Sequence, residues 1–192
     1  MEMHKDTPVY VFGNTKEWEE WLSKNHDKVA AIWLKFAKKN SGEKTMSYTE
    51  AVPVALCYGW IDGLLNKYEE QFYVIRFTPR KAKSVWSKRN REIVESLIKE
   101  GKMQPSGLAK IEAAKANGSW DNAYDSSKDM QMPEDFLREL AQDKKAEEFF
   151  KMLNRANTYA IAWRLQTAKK PETRAKRMKK LLDMLKRGEK LY

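Results

Sequence analysis

One cysteine, Cys57, and two histidines, His4 and His26, are all that the 192 residues offer of those types. A single thiol closes no internal disulfide. The histidines are far apart and have no companion thiolates, so a structural zinc site is not expected. Neither a metal nor a cofactor follows from the sequence. No uncharged apolar run is longer than that from Ala51 to Ile61, well short of the ~18 residues that suggest a membrane span. The opening residues, MEMHKDTPVYVFG, lack the apolar core of a secretion signal. With the lone thiol, this sets the expectation of a reducing, cytoplasmic compartment. Glycine-rich phosphate loops of Walker or dinucleotide type are absent, and so is a Gly-x-Ser-x-Gly elbow. A Ser-His-Asp triad would have to use His26, expected at a helix end on the surface. No standard catalytic set is present, and an enzyme is not the leading expectation.

The chain does have a core's worth of apolar residues, 42%, beside 33% charged ones, the balance of a globular protein. Its net charge of +10 is unevenly spread. Between Trp163 and Tyr192 there are 11 Lys/Arg against 3 Asp/Glu, and from Arg76 to Arg91 there are 7 Lys/Arg and no acid. Two basic tracts on a more acidic body suit an anionic partner, or a solvated basic face.

Residue patterns set the expected elements. Val9 to Phe12 suits a short strand. Asn14 or Thr15 caps a helix in which Trp18, Trp21 and Leu22 share a face. Ile32, Leu34 and Phe36 alternate with Trp33 and Lys35, as in a half-buried strand. Ser47 and Glu50 have capping-box spacing, and the helix they open runs into CYGWIDG, where Gly63 is expected to end it. Pro53 interrupts its regularity. FYVIRFTPR alternates as a strand. Ser84 is expected to cap the next helix and Gly101 to end it. A helix from Pro105 to Gly118 should turn Leu108 and Ile111 inward. The polar stretch DNAYDSSKDMQMP reads as a boundary, and helices follow to the end. The last of them, from Pro171 to Gly188, has Ala175, Met178, Leu181, Leu182 and Leu185 on one stripe. The fold class expected is α+β: a small sheet in β-α-β-α-β order covered by helices, over residues 1–125, then a helical subdomain over 133–192.

Chemistry-bearing residues concentrate where a helix end, a strand end and a helix start converge. The candidate site is Trp60, Asp62, Arg76, Arg80, Trp86, Ser87 and Asn90. Two arginines suit paired hydrogen bonds to a carboxylate or phosphate, the first turn after Ser84 offers N–H groups to the same anion, and Trp60 and Trp86 suit pocket walls. Each also has a structural reading. Asp62 pairs with Arg76 or Arg80, the tryptophans belong to the core, Ser84 and Ser87 are caps, and Asn90 meets backbone. Cys57 reads as a buried packing residue.

YTEAVPVALCYGWIDG, FTPRKAKSVWSKRN, LIKEGKMQPSGLAKIEAAKANGSW and NTYAIAWRLQTAKKPETRAKRMKKLLDML together resemble the bacterial YdeI/OmpD-associated, or bacteriocin-protection, family, over about Trp18 to Leu185. The resemblance implies a role in stress or antimicrobial-peptide tolerance and, by name, an outer-membrane porin as protein partner. It implies no reaction and no catalytic residue. Three functions are weighed on these observations: a binding protein with a pocket for a small anionic ligand, a nucleic-acid binder using the basic last helix, and an enzyme acting on a small anionic substrate with Asp62 as general acid or base, the nearby arginines favouring the base.

Overall fold

The computed structural model describes residues 2–126 and 129–192. Ser127 and Lys128, inside the expected polar boundary loop, lie outside the described residues. The chain divides into two compact units, one made of residues up to Trp86 together with Asn90–Asn122, the other of Ser87–Arg89 and Ala123–Tyr192.

The first unit contains β1 (Met3–His4), β2 (Thr7–Tyr10), α1 (Thr15–Asn25), β3 (Ile32–Ala37), α2 (Tyr48–Cys57), β4 (Trp60–Lys67), β5 (Phe72–Pro79), most of α3 (Lys88–Lys99) and α4 (Pro105–Ala116). The five strands form one sheet in the order β1-β2-β3-β5-β4, antiparallel except between β2 and β3. The α+β class stands, but the expected β-α-β-α-β order does not: two strands escape the sequence patterns.

The first missed strand is β1, joined to β2 by Lys5 and Asp6, both at positive φ (48° and 56°). A two-residue turn of that handedness is normally signalled by Asn-Gly or Asp-Gly, and Lys-Asp hides it. The second is β4, which lies where CYGWIDG suggested a helix end. The residue that takes the left-handed conformation is Gly59 (φ 73°), not Gly63. It follows the α2 cap Tyr58 and lets the chain reverse directly into Trp60. β4 lacks a clean alternation because its register with β5 shifts between Asp62, opposite Phe77, and Leu65, opposite Ile75. Gly63 and Leu64 both face the single residue Arg76, and that bulge hides the two-residue period.

Register sorts the sheet's faces. Ile32, Leu34 and Phe36 pair with Phe77, Ile75 and Tyr73, and this face meets α1 and α2. Trp18 lies edge-on to Phe77 at 5.9 Å and to Trp60 at 6.4 Å, and Tyr48 edge-on to Phe36 at 6.4 Å. Trp18, Trp60, Phe36 and Phe77 are essentially inaccessible, and burial of each such side chain contributes about 2–3 kcal/mol. The opposite face is smaller: Val9, Trp33 and Val74 with Tyr68, and His4 edge-on to Trp33 at 4.8 Å.

Local signals act as expected in several places. Asn14 caps α1 by accepting from the Glu17 N–H, and Ser47 with Glu50 forms the full capping box of α2, which continues through Pro53. α3 begins at Lys88 rather than after Ser84. The Ser84 hydroxyl instead accepts from the Lys81 N–H at 3.0 Å, closing a turn. Gly101 at φ 68° ends the helix, with Lys102 N–H donating to Leu97 O and Gly101 N–H to Ile98 O. In α4, Ile111 faces inward but Leu108 is exposed. Gly107, Ile111 and Ala114 make the buried stripe. Gly107 sets it, because a Cβ there would stand 2.2 Å from the Cys57 carbonyl oxygen.

Among its described residues the second unit contains helices and a bridge between Ser87 and Tyr124. It holds α5 (Glu134–Leu140), α6 (Lys144–Lys151), α7 (Arg155–Gln166) and α8 (Pro171–Lys186). Phe136, Leu140, Ala146, Ile161, Leu165, Leu181, Met184 and Leu185 form its core. The α8 stripe is shifted from the expected one, since Ala175 is exposed and Met184 buried. The α7 cap is Asn154, accepting from the Asn157 N–H at 3.0 Å. Gly188 ends α8, with Glu189 N–H donating to Met184 O and Gly188 N–H to Leu185 O.

Candidate functional site

The sequence placed seven residues together, and the structure distributes them. Trp60 is wholly buried, its indole N–H donating to the His26 carbonyl at 2.9 Å and its ring edge-on to Trp18 and Trp21. It is part of the core. Asp62 faces the same side of the sheet as its partner Phe77, and its Oδ2 accepts from the Tyr48 hydroxyl at 2.9 Å. Arg76 pairs with Trp33 and lies on the opposite face. An Asp62–Arg76 ion pair is therefore excluded by the two-residue period of the strands. Ser87 belongs to the second unit, buried and paired with Tyr124. Asn90 shares the half-buried inner face of α3 with Val94 and Leu97.

Arg80 and Trp86 do come together. The Arg80 N–H donates to the Gly59 carbonyl at 2.8 Å, which anchors the end of β5 against the reversal after α2. The residue is only 3% exposed. The guanidinium carbon lies 3.6 Å from the Trp86 ring centre, and both terminal nitrogens reach toward the Val85 carbonyl at 3.3 and 3.4 Å. A guanidinium over an indole at this distance and depth is a strong cation–π contact, worth about 2 kcal/mol when desolvated. Trp86 in turn meets Trp120 edge-on at 4.9 Å, and Arg91 lies over Trp120 at 5.1 Å while donating to its carbonyl at 2.9 Å.

Beside this stack is a cavity of about 140 Å³. Arg80, Lys81, Ser84, Trp86 and Lys110 line it, with Ala82 and, from α4, Ala109, Ala113 and Ala114. Three cations and a hydroxyl face one small space with no carboxylate among them. The small alanines leave the space open. Lys110 is brought there by the close approach of α4 to the α2 end: a Cβ on Gly59 would meet Lys110 Cγ at 2.8 Å and the Ser106 carbonyl at 3.0 Å. Lys110, Trp120 and Arg91 are the residues that sequence reasoning missed. The Trp in NGSW was a visible signal for Trp120. Nothing local marks Lys110, whose place depends on Gly59 and Gly107, far away in the chain.

Two other cavities of the first unit hold weaker chemistry. A groove of about 400 Å³ runs along Tyr48, Asp62, Gly63, Leu65, Tyr73 and Ile75. Another of about 400 Å³ reaches Cys57 between α1, α2 and the segment before α4. Burial, with the nearby Glu19, pushes the Cys57 thiol up to about 11. It stays protonated and unreactive at neutral pH, as a packing residue should. Among the described residues there is no cluster of metal-ligating side chains and no helix long and apolar enough to cross a membrane.

Residues 10–110 match the family model described as a domain of unknown function, DUF8412, which covers more than half of the chain. Residues 129–188 match the model described as Bacteriocin-protection, YdeI or OmpD-Associated. The AKKPETR signature lies in the second match, and the GWIDG, TPR and WSKRN motifs lie in the first. No curated protein and no solved structure matches the chain.

Proposed function

The chain belongs to the family described as a domain of unknown function, DUF8412, and we propose that it is a cytoplasmic protein of stress or bacteriocin protection that binds a small oxyanion beside Arg80. The observation that carries the reading is the lining of that cavity: Arg80, Lys81, Lys110 and Ser84, without an acid. Guanidinium and ammonium groups at the edge of a low-dielectric pocket favour an anion with several acceptor oxygens. Size narrows the class. About 140 Å³ is room for roughly five waters at ~30 Å³ each, which suits phosphate, sulfate or a short carboxylate. A flat base finds no platform, because Arg80 covers one side of Trp86 and Trp120 meets its ring edge-on.

The protection role comes from the description of the match over residues 129–188, as does an association with OmpD, and both are proposals for this chain. So is a division of labour between residues 1–125, with the anion site, and the helical 133–192. The enzyme reading depended on arginines beside Asp62, and the sheet register takes Arg76 away from it.

The test is calorimetric titration of the full chain with phosphate, sulfate, a phosphosugar, ATP and a short RNA. Phosphate or sulfate is expected to bind, ATP no more tightly than phosphate, and Lys110→Met to weaken the anion about tenfold, or ~1.4 kcal/mol, without lowering the melting temperature. Equal binding by wild type and Lys110→Met would remove the cavity from consideration. Tight, salt-sensitive RNA binding insensitive to that substitution would favour the basic last helix instead.

A further inference from the structure

The helical unit has a cavity of its own, of about 280 Å³, beside the first turn of α7. Its walls divide by chemistry. Met130, Met132 and Phe150 supply one side, Ala162 a small floor, and Arg155 and Tyr159 the polar side. Met132 and Phe150 are only partly buried against the unit's core, so they leave apolar surface facing the space. Unbranched thioether side chains adapt to an apolar guest of varied shape. The polar side is of one sign. Arg155 is the first residue of α7, where the helix dipole adds further positive potential. Burial raises the Tyr159 phenol above its ordinary value, so it is present as a hydrogen-bond donor. Thr158 also lines the cavity, but its hydroxyl is turned back to the Arg155 carbonyl at 3.1 Å. Among the described residues that line the space there is no carboxylate.

We propose that this cavity binds a small amphiphilic carboxylate, with its apolar body against Met130, Met132 and Phe150 and its carboxylate between Arg155 and Tyr159. The volume lies just under the ~300 Å³ at which cavities begin to hold drug-sized ligands. A medium-chain fatty acid or a simple aromatic acid is the matching size. The site is independent of the one beside Arg80: it differs in residues, in size and in the apolar demand it makes on the ligand.

Octanoate titrated into the full chain labelled at its methionine methyl groups tests this. The Met130 and Met132 signals are expected to move along one saturable curve while buried Met184 stays fixed. Octylammonium, with the opposite charge, is expected to move neither. Arg155 is exposed, and Arg155→Gln, in a variant whose helical circular dichroism is intact, is expected to weaken octanoate about tenfold. Arg80→Ala and Lys110→Met are expected to leave octanoate binding unchanged, which separates failure here from failure of the oxyanion site. Ala162→Leu, filling the floor, is expected to abolish binding in a variant whose helical circular dichroism is intact. Octanoate binding unchanged in Arg155→Gln, equal response to octylammonium, or no saturable shift at millimolar octanoate would each overturn the proposal.

Discussion

The two units treat their arginines differently. In the first, Arg80 is buried against Trp86 at the edge of a cavity that carries no acid. In the second, where the chain is most basic, Arg174 and Arg177 support helices. Arg174 makes a two-pronged pair with Asp135, with nitrogens 2.5 and 2.8 Å from its two oxygens. Arg177 donates to the Arg164 carbonyl at 2.7 Å, at the end of α7. Aromatic content is divided in the same way: of seven tryptophans only Trp163 belongs to the second unit. Density of positive charge along a sequence is thus a poor guide to where an anion is held. What matters is whether a cation is confined beside unfilled space.

The contrast can be sharpened from its largest expected effect to its smallest. Leu185→Ala removes a fully buried side chain from the helical core and is expected to cost about 4 kcal/mol, read as the loss of stability of α5–α8 in amide exchange. Gly107→Ala puts a methyl group 2.2 Å from the Cys57 carbonyl. It is expected to cost about 3 kcal/mol, read as a shift in urea midpoint by tryptophan fluorescence, which reports mainly on the first unit. A neutral result would mean that α4 moves off α2 freely, and the placement of Lys110 would lose its basis.

Arg80→Ala is expected to cost about 2 kcal/mol in the same fluorescence assay and to remove oxyanion binding. Binding that survives it would show that Arg80 is a packing residue only. Asp135→Asn is expected to cost about 0.5 kcal/mol, because both partners are substantially exposed. The Arg174 hydrogen bond holds the Asp135 carboxyl below its ordinary value. Its contribution is therefore complete above that ordinary value and is lost as pH falls through the lowered one. Urea midpoints of wild type and Asp135→Asn should differ at neutral pH and converge in acid. A difference that persists in acid would assign the pair no electrostatic role.

Much of the fold was legible in the sequence, though unevenly. The alternation of Ile32, Leu34 and Phe36, and of Tyr73, Ile75 and Phe77, placed two central strands and their inner faces correctly. β1 and β4 were not legible, one hidden by an unusual Lys-Asp turn and the other by a bulge at Gly63–Leu64. Of the candidate site, the sequence shows the basic and aromatic character of the segment from Arg80 to Trp86, which lines the cavity. Trp60 and Asp62 belong to β4: Trp60 pairs with Pro79, next to Arg80, but its ring is buried in the core, and Asp62 meets Tyr48 instead of an arginine.

What the sequence determined by itself is what acts within a turn or along one strand. It set the caps at Asn14 and at Ser47 with Glu50, the left-handed stops at Gly101 and Gly188, and the strand periodicity. These depend on neighbours a few residues apart, whose geometry the backbone dictates. Only tertiary structure decided that Asp62 meets Tyr48, that Arg80 is sealed over Trp86, and that Lys110 stands beside them. Each of those depends on strand register or on the approach of two backbones, such as Gly107 to Cys57, from segments distant in the chain. Such contacts are selected by packing the whole unit at once, and no local pattern carries them.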